Sequence, residues 1–211
     1  MDALILVDLQ NDFCAGGALA VPDGDAVVAV ANRLLSRFPL IVATQDNHPP
    51  THLSFAQNHS GKRVYEQIDL DGLPQVLWPV HCVAGTPGAA FHPQLDSARI
   101  TRVFPKGTDA RIDSYSGFFD NGQRKATGLG DYLKEQSVTR VYVLGLATDY
   151  CVKWTALDAV RLGFEVHLIE DACRGVGLQP GDIPAALAEL RAAGVQLESS
   201  DQLASAEPLV H

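Results

Sequence analysis

The sequence predicts an α/β protein: a doubly wound, three-layer fold with a mainly parallel central sheet. Short apolar runs alternate with segments whose apolar residues recur at helical spacing, which is the pattern of βαβ units. The chain has 211 residues, enough for one sizeable core and rather short for two, so residues 1–211 are predicted to form a single domain. Hydrophobic residues make up 46% of the chain and charged residues 19%, as in a globular protein rather than a disordered one.

The predicted elements follow one another along the chain. Residues 3–7 form a short apolar run that ends in Asp8, which indicates a buried strand. Residues 138–146 are the clearest strand, because they are rich in β-branched side chains. The other predicted strands are residues 40–44, 102–104 (ended by Pro105), 164–169 and 195–197, and the predicted helices are residues 25–38, 129–136, 150–162 and 183–193.

The segment from about residue 46 to residue 99 departs from this alternation. It is rich in proline, glycine and histidine and shows little periodicity. So long a loop in a compact domain is usually functional or disordered, and its histidines and the pair Trp78-Pro79 favour an ordered loop. We therefore predict a metal-binding, active-site loop region here.

Charge and cysteine content limit the partners and the compartment. The chain has 25 acidic and 16 basic residues, and a net charge of −9 argues against nucleic acid or an anionic membrane as the main partner. The four cysteines form no CxxC pair and are expected to be free thiols in a reducing compartment. The apolar run at the N-terminus is too short for a signal peptide, so we expect a cytoplasmic protein.

Ligands of a parallel α/β sheet bind beyond the carboxyl ends of its strands. The residues that follow the predicted strands are Asp8, Asp46, Lys106 and residues 147–151. We therefore expect these side chains to meet at one edge of the sheet.

Cys151 is the candidate nucleophile. Thr148 or Asp149 could cap a helix that begins here, which would place Cys151 in its first turn. The free N–H groups and the helix dipole would then lower the thiol pKa and could hold an oxyanion. A buried cysteine on the core face of a helix is the equally open alternative.

Asp8 and Lys106 are the candidate proton acceptor and its cationic neighbour. Asp8 could take the thiol proton, while Lys106 could stabilise the thiolate and hold Asp8 in place. A simple ion pair at the edge of the sheet explains the two residues as well on spacing alone.

Asp46, His48 and His81 offer one oxygen and two nitrogens, a set that suits Zn, Fe or Mn and leaves positions open. His52 and His59 lie nearby in the sequence, and structural histidines are the alternative. Three aromatic side chains could form the walls of a flat pocket, although ordinary packing explains each singly: Phe13, Trp78 and Tyr115.

Six segments together resemble the nicotinamidases, a family of isochorismatase-like cysteine hydrolases that often also hydrolyse pyrazinamide. They are VDLQNDF (residues 7–13), DNHP (46–49), WPVHCV (78–83), FPKG (104–107), YSGF (115–118) and GLATDYCV (145–152). They occur in the family's order and cover most of the chain. The resemblance implies the isochorismatase-like fold and hydrolysis of nicotinamide to nicotinate and ammonia, a step of NAD salvage, through a Cys151 thioester.

The resemblance also implies a role for each candidate residue. It implies a catalytic trio of Asp8, Lys106 and Cys151, with the backbone N–H groups of Ala147 and Cys151 as the oxyanion hole beside a cis peptide at Leu146–Ala147. One divalent ion, with Zn favoured over Fe or Mn, would be held by Asp46, His48 and His81. The implied substrate-binding residues are Phe13, Trp78, Tyr115 and Ala147.

Several points stay open. Ser54 or His52 could join the metal directly or through water, a homodimer is possible, and Cys82 and Cys173 are assigned to packing. One alternative is an amidase of the same fold that acts on carbamoyl or ureido substrates. A metallohydrolase in which Cys151 is structural is another. The third is a binding protein that has lost its chemistry.

Overall fold

The structure, a computed structural model, describes residues 1–205. Its strands are β1 (Asp2–Val7), β2 (Leu40–Asp46), β3 (Gln67–Leu70), β4 (Leu73–Val76), β5 (Arg102–Lys106), β6 (Arg140–Leu146), β7 (Glu165–Arg174) and β8 (Gln196–Glu198). Its helices are α1 (Gly24–Leu34), α2 (Leu129–Glu135), α3 (Lys153–Arg161), α4 (Asp182–Ala192) and α5 (Ser200–Ser205). Within this part of the chain, no helix is both long enough and apolar enough to cross a bilayer.

The central sheet has six parallel strands in the order β5-β2-β1-β6-β7-β8. From β1 the chain adds strands on one side, and from β6 it adds them on the other, so the strand order reverses between β1 and β6. Apart from Asp2 and Arg140, which are half-buried, every residue of these two strands is buried. Such a reversal opens a crevice at the carboxyl ends of the strands, where α/β proteins bind ligands.

Helices cover both faces of the sheet. Helices α1 and α5 contact each other and β7, whereas α3 and α4 contact each other and α3 also contacts β6 and β7. Right-handed crossovers from β1 to β2 and from β6 to β7 run in opposite directions along the sheet and therefore place α1 and α3 on opposite faces. The predicted three-layer, doubly wound fold is confirmed.

Strand β5 extends further than the sequence predicts. It continues through Pro105 to Lys106 and pairs with β2 in the register Asp46↔Lys106. Proline is tolerated because β5 is an edge strand, which can leave one row of backbone groups without a partner strand. The prediction that Pro105 ends the strand is wrong, and the extension brings Lys106 to the end of the sheet.

The turn after β6 also differs from the prediction of an α-helix capped by Thr148 or Asp149. Residues Thr148–Val152 form a single π-type turn before α3, with the Val152 N–H donating to the Ala147 carbonyl at 3.1 Å. No side chain caps it. The Asp149 carboxylate instead accepts the N–H groups of Val176 and Gly177, at 2.9 and 2.8 Å. Turns of this kind inside helices frequently mark functional sites.

The region between β2 and β5 contains a two-stranded antiparallel hairpin, β3–β4, which the sequence analysis did not find. Backbone hydrogen bonds tie the rest of the region together. The Trp78 N–H donates to the Ser54 carbonyl at 2.7 Å, and the His48 N–H donates to the Cys82 carbonyl at 3.0 Å. These bonds hold the histidines next to the end of β2.

Candidate active site

Four side chains from four neighbouring strand ends meet in the crevice. Asp8 follows β1, Asp46 ends β2, Lys106 ends β5 and Cys151 lies in the turn after β6, and all four are buried. The Lys106 Nζ lies 2.8 Å from Asp8 Oδ2 and 3.3 Å from Cys151 Sγ, and it also donates to a carboxylate oxygen of Asp46. The prediction that parallel strands bring these residues to one edge agrees with the structure.

Asp8 is placed to accept a proton from Cys151. Its Oδ1 accepts the hydroxyl of Thr44 at 2.6 Å, while no hydrogen bond from the described residues meets its Oδ2. The Lys106 ammonium is the ion-pair partner of Oδ2, at 2.8 Å. One carboxylate oxygen each of Asp8 and Asp46 and the Cys151 Sγ all lie within 4.8 Å of one another. The Asp8 carboxylate is therefore near enough to the Cys151 sulfur to act as a base.

Burial favours the neutral form of the Cys151 thiol. Burial raises its pKa, the Lys106 ammonium lowers it, and the charges of Asp8 and Asp46 raise it again, so that the pKa lies well above 9.0. The expectation of a pKa lowered by a helix N-terminus is wrong for the free site, because burial outweighs the single cation. Cys151 lies in a π-type turn, and not in the first turn of a capped α-helix.

Lys106 keeps its charge in spite of complete burial. Burial alone would lower its pKa, but the charges of Asp46 and Asp8 raise the pKa well above the ordinary lysine value. Burial raises the pKa of Asp8, against the opposing effects of Lys106 and of the Thr44 hydroxyl. The ammonium therefore stabilises a carboxylate that would otherwise be too costly to bury.

The peptide bond between Leu146 and Ala147 is cis, as the resemblance implies. Ala147 and Cys151 both line the same small cavity. Their assignment as oxyanion donors remains a prediction.

Asp46, His48 and His81 form a donor set that fits a metal ion. One ligand atom from each lies within 4.8 Å of the others, and all three residues are buried. The Nδ1 atoms of His48 and His81 donate to the carbonyls of Gly107 and Pro79, both at 2.8 Å. This tautomer leaves each Nε2 lone pair directed towards Asp46 Oδ2, at 3.4 and 3.7 Å. Histidines that bind metals are oriented in the same way.

His52 and Ser54 contact each other beside this set. The His52 Nδ1 lies 2.7 Å from the Ser54 Oγ and accepts the Ser54 N–H at 3.1 Å. The His52 ring centroid is 4.5 Å from that of His48. Ligand atoms of His52, His48 and Asp113 lie within 4.8 Å of one another, whereas His52 does not join the cluster that contains Asp46. His59 donates to the Leu53 carbonyl at 2.7 Å, which gives it a structural role in the loop.

A small cavity opens in front of Cys151. It is lined by Phe13, Leu19, Asp46, Trp78, His81, Asp113, Tyr115, Ala147, Tyr150, Cys151 and Val176. All four residues predicted to bind substrate are among them. The Trp78 indole N–H donates to the Tyr115 hydroxyl at 3.2 Å, which links two aromatic walls.

The sequence analysis missed several residues of this site. Tyr150 packs edge-to-face on Trp78, with ring centroids 4.7 Å apart, and its position next to Cys151 was the available signal. Gln10 bridges Asp46: its amide accepts the Asp46 N–H and donates to the Asp46 carbonyl, both at 2.8 Å. Asp113 and Thr44 were also missed. Cys82 and Cys173 are buried free thiols, in agreement with packing roles.

The fold and the site define an α/β protein with a buried cysteine, a carboxylate and an ammonium at the point where the strand order reverses. Residues 2–202 match the isochorismatase domain family. The chain belongs to the isochorismatase family.

The relatives of this chain include characterised enzymes. It is 54% identical to a nicotinamidase of Escherichia coli, over 92% of this chain and 93% of that protein. Among solved structures, a nicotinamidase/pyrazinamidase of Acinetobacter baumanii has a TM-score of 0.93 and 47% identity, over 96% of this chain and 97% of that one. A pyrazinamidase of Pyrococcus horikoshii in complex with zinc has a TM-score of 0.77 and 39% identity, over 94% and 98%.

Proposed function

We propose that this protein is a nicotinamidase that hydrolyses nicotinamide to nicotinate and ammonia in NAD salvage, and that it also accepts pyrazinamide. The observation that carries the proposal is the contact of Lys106 with both Asp8 and Cys151, because Cys151 lines a cavity with aromatic walls. The names of the relatives support the substrate, since enzymes similar over nearly the whole chain are nicotinamidases.

Asp8 and Cys151 carry out the first half of the reaction. Asp8 takes the thiol proton as the Cys151 sulfur attacks the carboxamide carbon and forms the C–S bond. The carbonyl oxygen becomes an oxyanion, which the backbone N–H groups of Ala147 and Cys151 receive. The C–N bond then breaks, and Asp8 returns the proton to the leaving nitrogen, which departs as ammonia.

The second half removes the acyl group. Water attacks the thioester carbon and loses one proton to Asp8, the C–S bond breaks, and Asp8 returns that proton to the Cys151 sulfur. The second proton of the water leaves the new carboxyl group for the solvent, so that the product is nicotinate. Lys106 holds Asp8 in place throughout and stabilises the thiolate while it is charged.

Asp46, His48 and His81 would hold one divalent ion, for which zinc is the first candidate and iron and manganese are alternatives. The zinc complex of the Pyrococcus horikoshii pyrazinamidase supports this choice. Such an ion would supply a Lewis acid for the pyridine nitrogen of the substrate. The side chains of Phe13, Trp78 and Tyr115 would then hold the faces and edges of the ring.

Ammonia release from nicotinamide by the purified, metal-loaded protein tests the proposal. We expect Cys151→Ala to abolish release, and chelation to weaken it. Cys173→Ala is the matched control, because it truncates another buried thiol, outside the residues that line the cavity. Normal turnover by Cys151→Ala would instead favour a metallohydrolase with a structural cysteine.

A substrate panel separates the remaining candidates. Release from carbamoyl or ureido amides, with none from nicotinamide, would identify an amidase of the same fold with another substrate. A protein that releases ammonia from none of these compounds would be a binding protein.

We also propose a cytoplasmic location, which the free thiols support because disulfides are rare in that compartment. A homodimer remains a prediction that sedimentation of the purified protein would test.

A further inference from the structure

Asp113 is a buried carboxylate to which the reaction above gives no role. It lies in the loop after β5, lines the cavity in front of Cys151 and is 3% exposed. Its Oδ1 accepts the Ser114 N–H at 2.8 Å and its Oδ2 accepts the Gln75 side-chain amide at 3.0 Å. Among residues 1–205, no lysine, arginine or histidine forms an ion pair with it. A buried carboxylate with only neutral donors is costly, so such groups are usually paired with a cation or a metal.

The position of Asp113 next to the predicted metal ligands Asp46, His48 and His81 indicates its role. One of its carboxylate oxygens lies within 4.8 Å of ring nitrogens of both His48 and His52. It does not join the cluster of Asp46, His48 and His81, so it lies outside the atoms that can bind one ion together. Asp113 therefore lies beside the predicted metal ligands, next to His48.

The charges around the cavity favour the same interpretation. Asp8, Asp46 and Asp113 are buried carboxylates, and Lys106 is the only buried ammonium among the described residues. Counted as ionised, the three carboxylates carry three negative charges against the single positive charge of Lys106, which leaves an excess of two negative charges. One divalent cation would balance them, and without Asp113 the loaded site would have an excess positive charge.

We propose that Asp113 is a positioning residue of the metal site, whose negative charge strengthens the binding of a divalent ion by Asp46, His48 and His81 without touching the ion. The inference rests on the metal site of the proposed function. Burial makes the effect strong, because a charge at this distance is poorly screened by water or salt.

A purely structural role for Asp113 would be shared with Gln75. The Gln75 amide on β4 donates to Asp113 and to the Val76 carbonyl, at 3.0 and 2.7 Å, so the pair could simply attach the hairpin to the loop. In that case, removal of either side chain would loosen the same contact. If the charge acts on the ion, only removal of Asp113 should weaken metal binding.

The test measures the affinity of the full-length protein for zinc, by competition with a chromophoric chelator, in the wild type and three variants. We expect Asp113→Asn to weaken zinc binding about 10- to 100-fold, the range for loss of an outer partner of a metal site. Gln75→Met and Asp109→Asn, the latter an exposed carboxylate in the same loop, should stay close to wild type. Thermal unfolding of the metal-free proteins reports any structural effect separately.

Several outcomes would overturn the inference. They are an unchanged zinc affinity of Asp113→Asn, an equal loss in Gln75→Met, and a wild-type protein that binds no divalent ion. Because Asn places an amide against the Gln75 amide, Asp113→Ser provides a second variant without the charge if Asp113→Asn does not fold. A protein whose zinc affinity depends on Asp113 but that does not hydrolyse nicotinamide would refute the proposed substrate and leave this inference standing.

Discussion

Thr44→Val tests whether Asp8 is the base. The substitution keeps the shape of the side chain but removes the hydroxyl that donates to Asp8 Oδ1 at 2.6 Å in a fully buried position. A hydrogen bond to a charged group contributes about 1.5–3 kcal/mol. At about 1.36 kcal/mol per pKa unit, its loss should raise the pKa of Asp8 by about 1–2 units. Because a base acts only when ionised, the acid limb of kcat/KM for nicotinamide should move to higher pH by that amount.

The assay is the pH profile of nicotinamide hydrolysis, with Thr155→Val as the matched control. Thr155 is equally buried, and its hydroxyl accepts the Gly117 N–H at 2.9 Å, so its loss should cost stability without touching Asp8. Urea unfolding of both variants shows whether the two stability losses are comparable. An acid limb that moves no further in Thr44→Val than in Thr155→Val, or that moves to lower pH, would refute the assignment of Asp8.

Two further predictions concern the charges of the site. Lys106→Met leaves the buried carboxylates of Asp8 and Asp46 without their cation. In urea, it should lower the free energy of unfolding of the metal-free protein by about 3–5 kcal/mol. Lys125→Met, which changes an exposed lysine, should change that free energy by no more than about 0.5 kcal/mol. Because the pKa of Lys106 is raised above 10.5, the stabilisation by its ammonium is complete at neutral pH and is lost only above pH 10.5. An equal effect of the two variants on stability would contradict the ion-pair account. The raised Cys151 pKa predicts that iodoacetamide labels the free enzyme slowly at neutral pH and about tenfold faster per pH unit as the pH rises to the ordinary thiol pKa. Peptide mass analysis of Cys151 measures this rate, and a rate that levels off below the ordinary thiol pKa would contradict the prediction.

The residues that the sequence identified are those whose position follows from local pattern. Asp8 and Asp46 end or follow apolar strands, and the parallel sheet alone brings their side chains to one edge. The sequence did not identify Gln75, because β3 and β4 are only four residues long, and its partner Asp113 is 38 residues away. Such a contact depends on how a loop folds back, which neither periodicity nor spacing encodes.

Two wrong predictions have the same kind of cause. Proline usually ends a strand, but the rule does not hold for β5, because its place at the edge of the sheet is decided by the whole topology. Asp149 is of a residue type that often caps helices, but its carboxylate accepts hydrogen bonds from the N–H groups of Val176 and Gly177, 27 and 28 residues further on. In both cases a long-range contact decides between two locally acceptable structures.

The raised pKa of Cys151 affects the point in the proposed reaction at which its sulfur becomes reactive. Burial stabilises the neutral Cys151, and the single ammonium of Lys106 is shared with Asp8 and Asp46, so little thiolate forms in the free site. A substrate carbonyl changes this balance. When Asp8 accepts the thiol proton, its negative charge passes to the sulfur and, as the sulfur attacks, to the carbonyl oxygen, where backbone N–H groups can stabilise it. Proton transfer and attack are therefore favourable together and unfavourable separately. In the proposed reaction, burial thus keeps Cys151 as a thiol, which is less open to oxidation than a thiolate, until an amide fills the cavity.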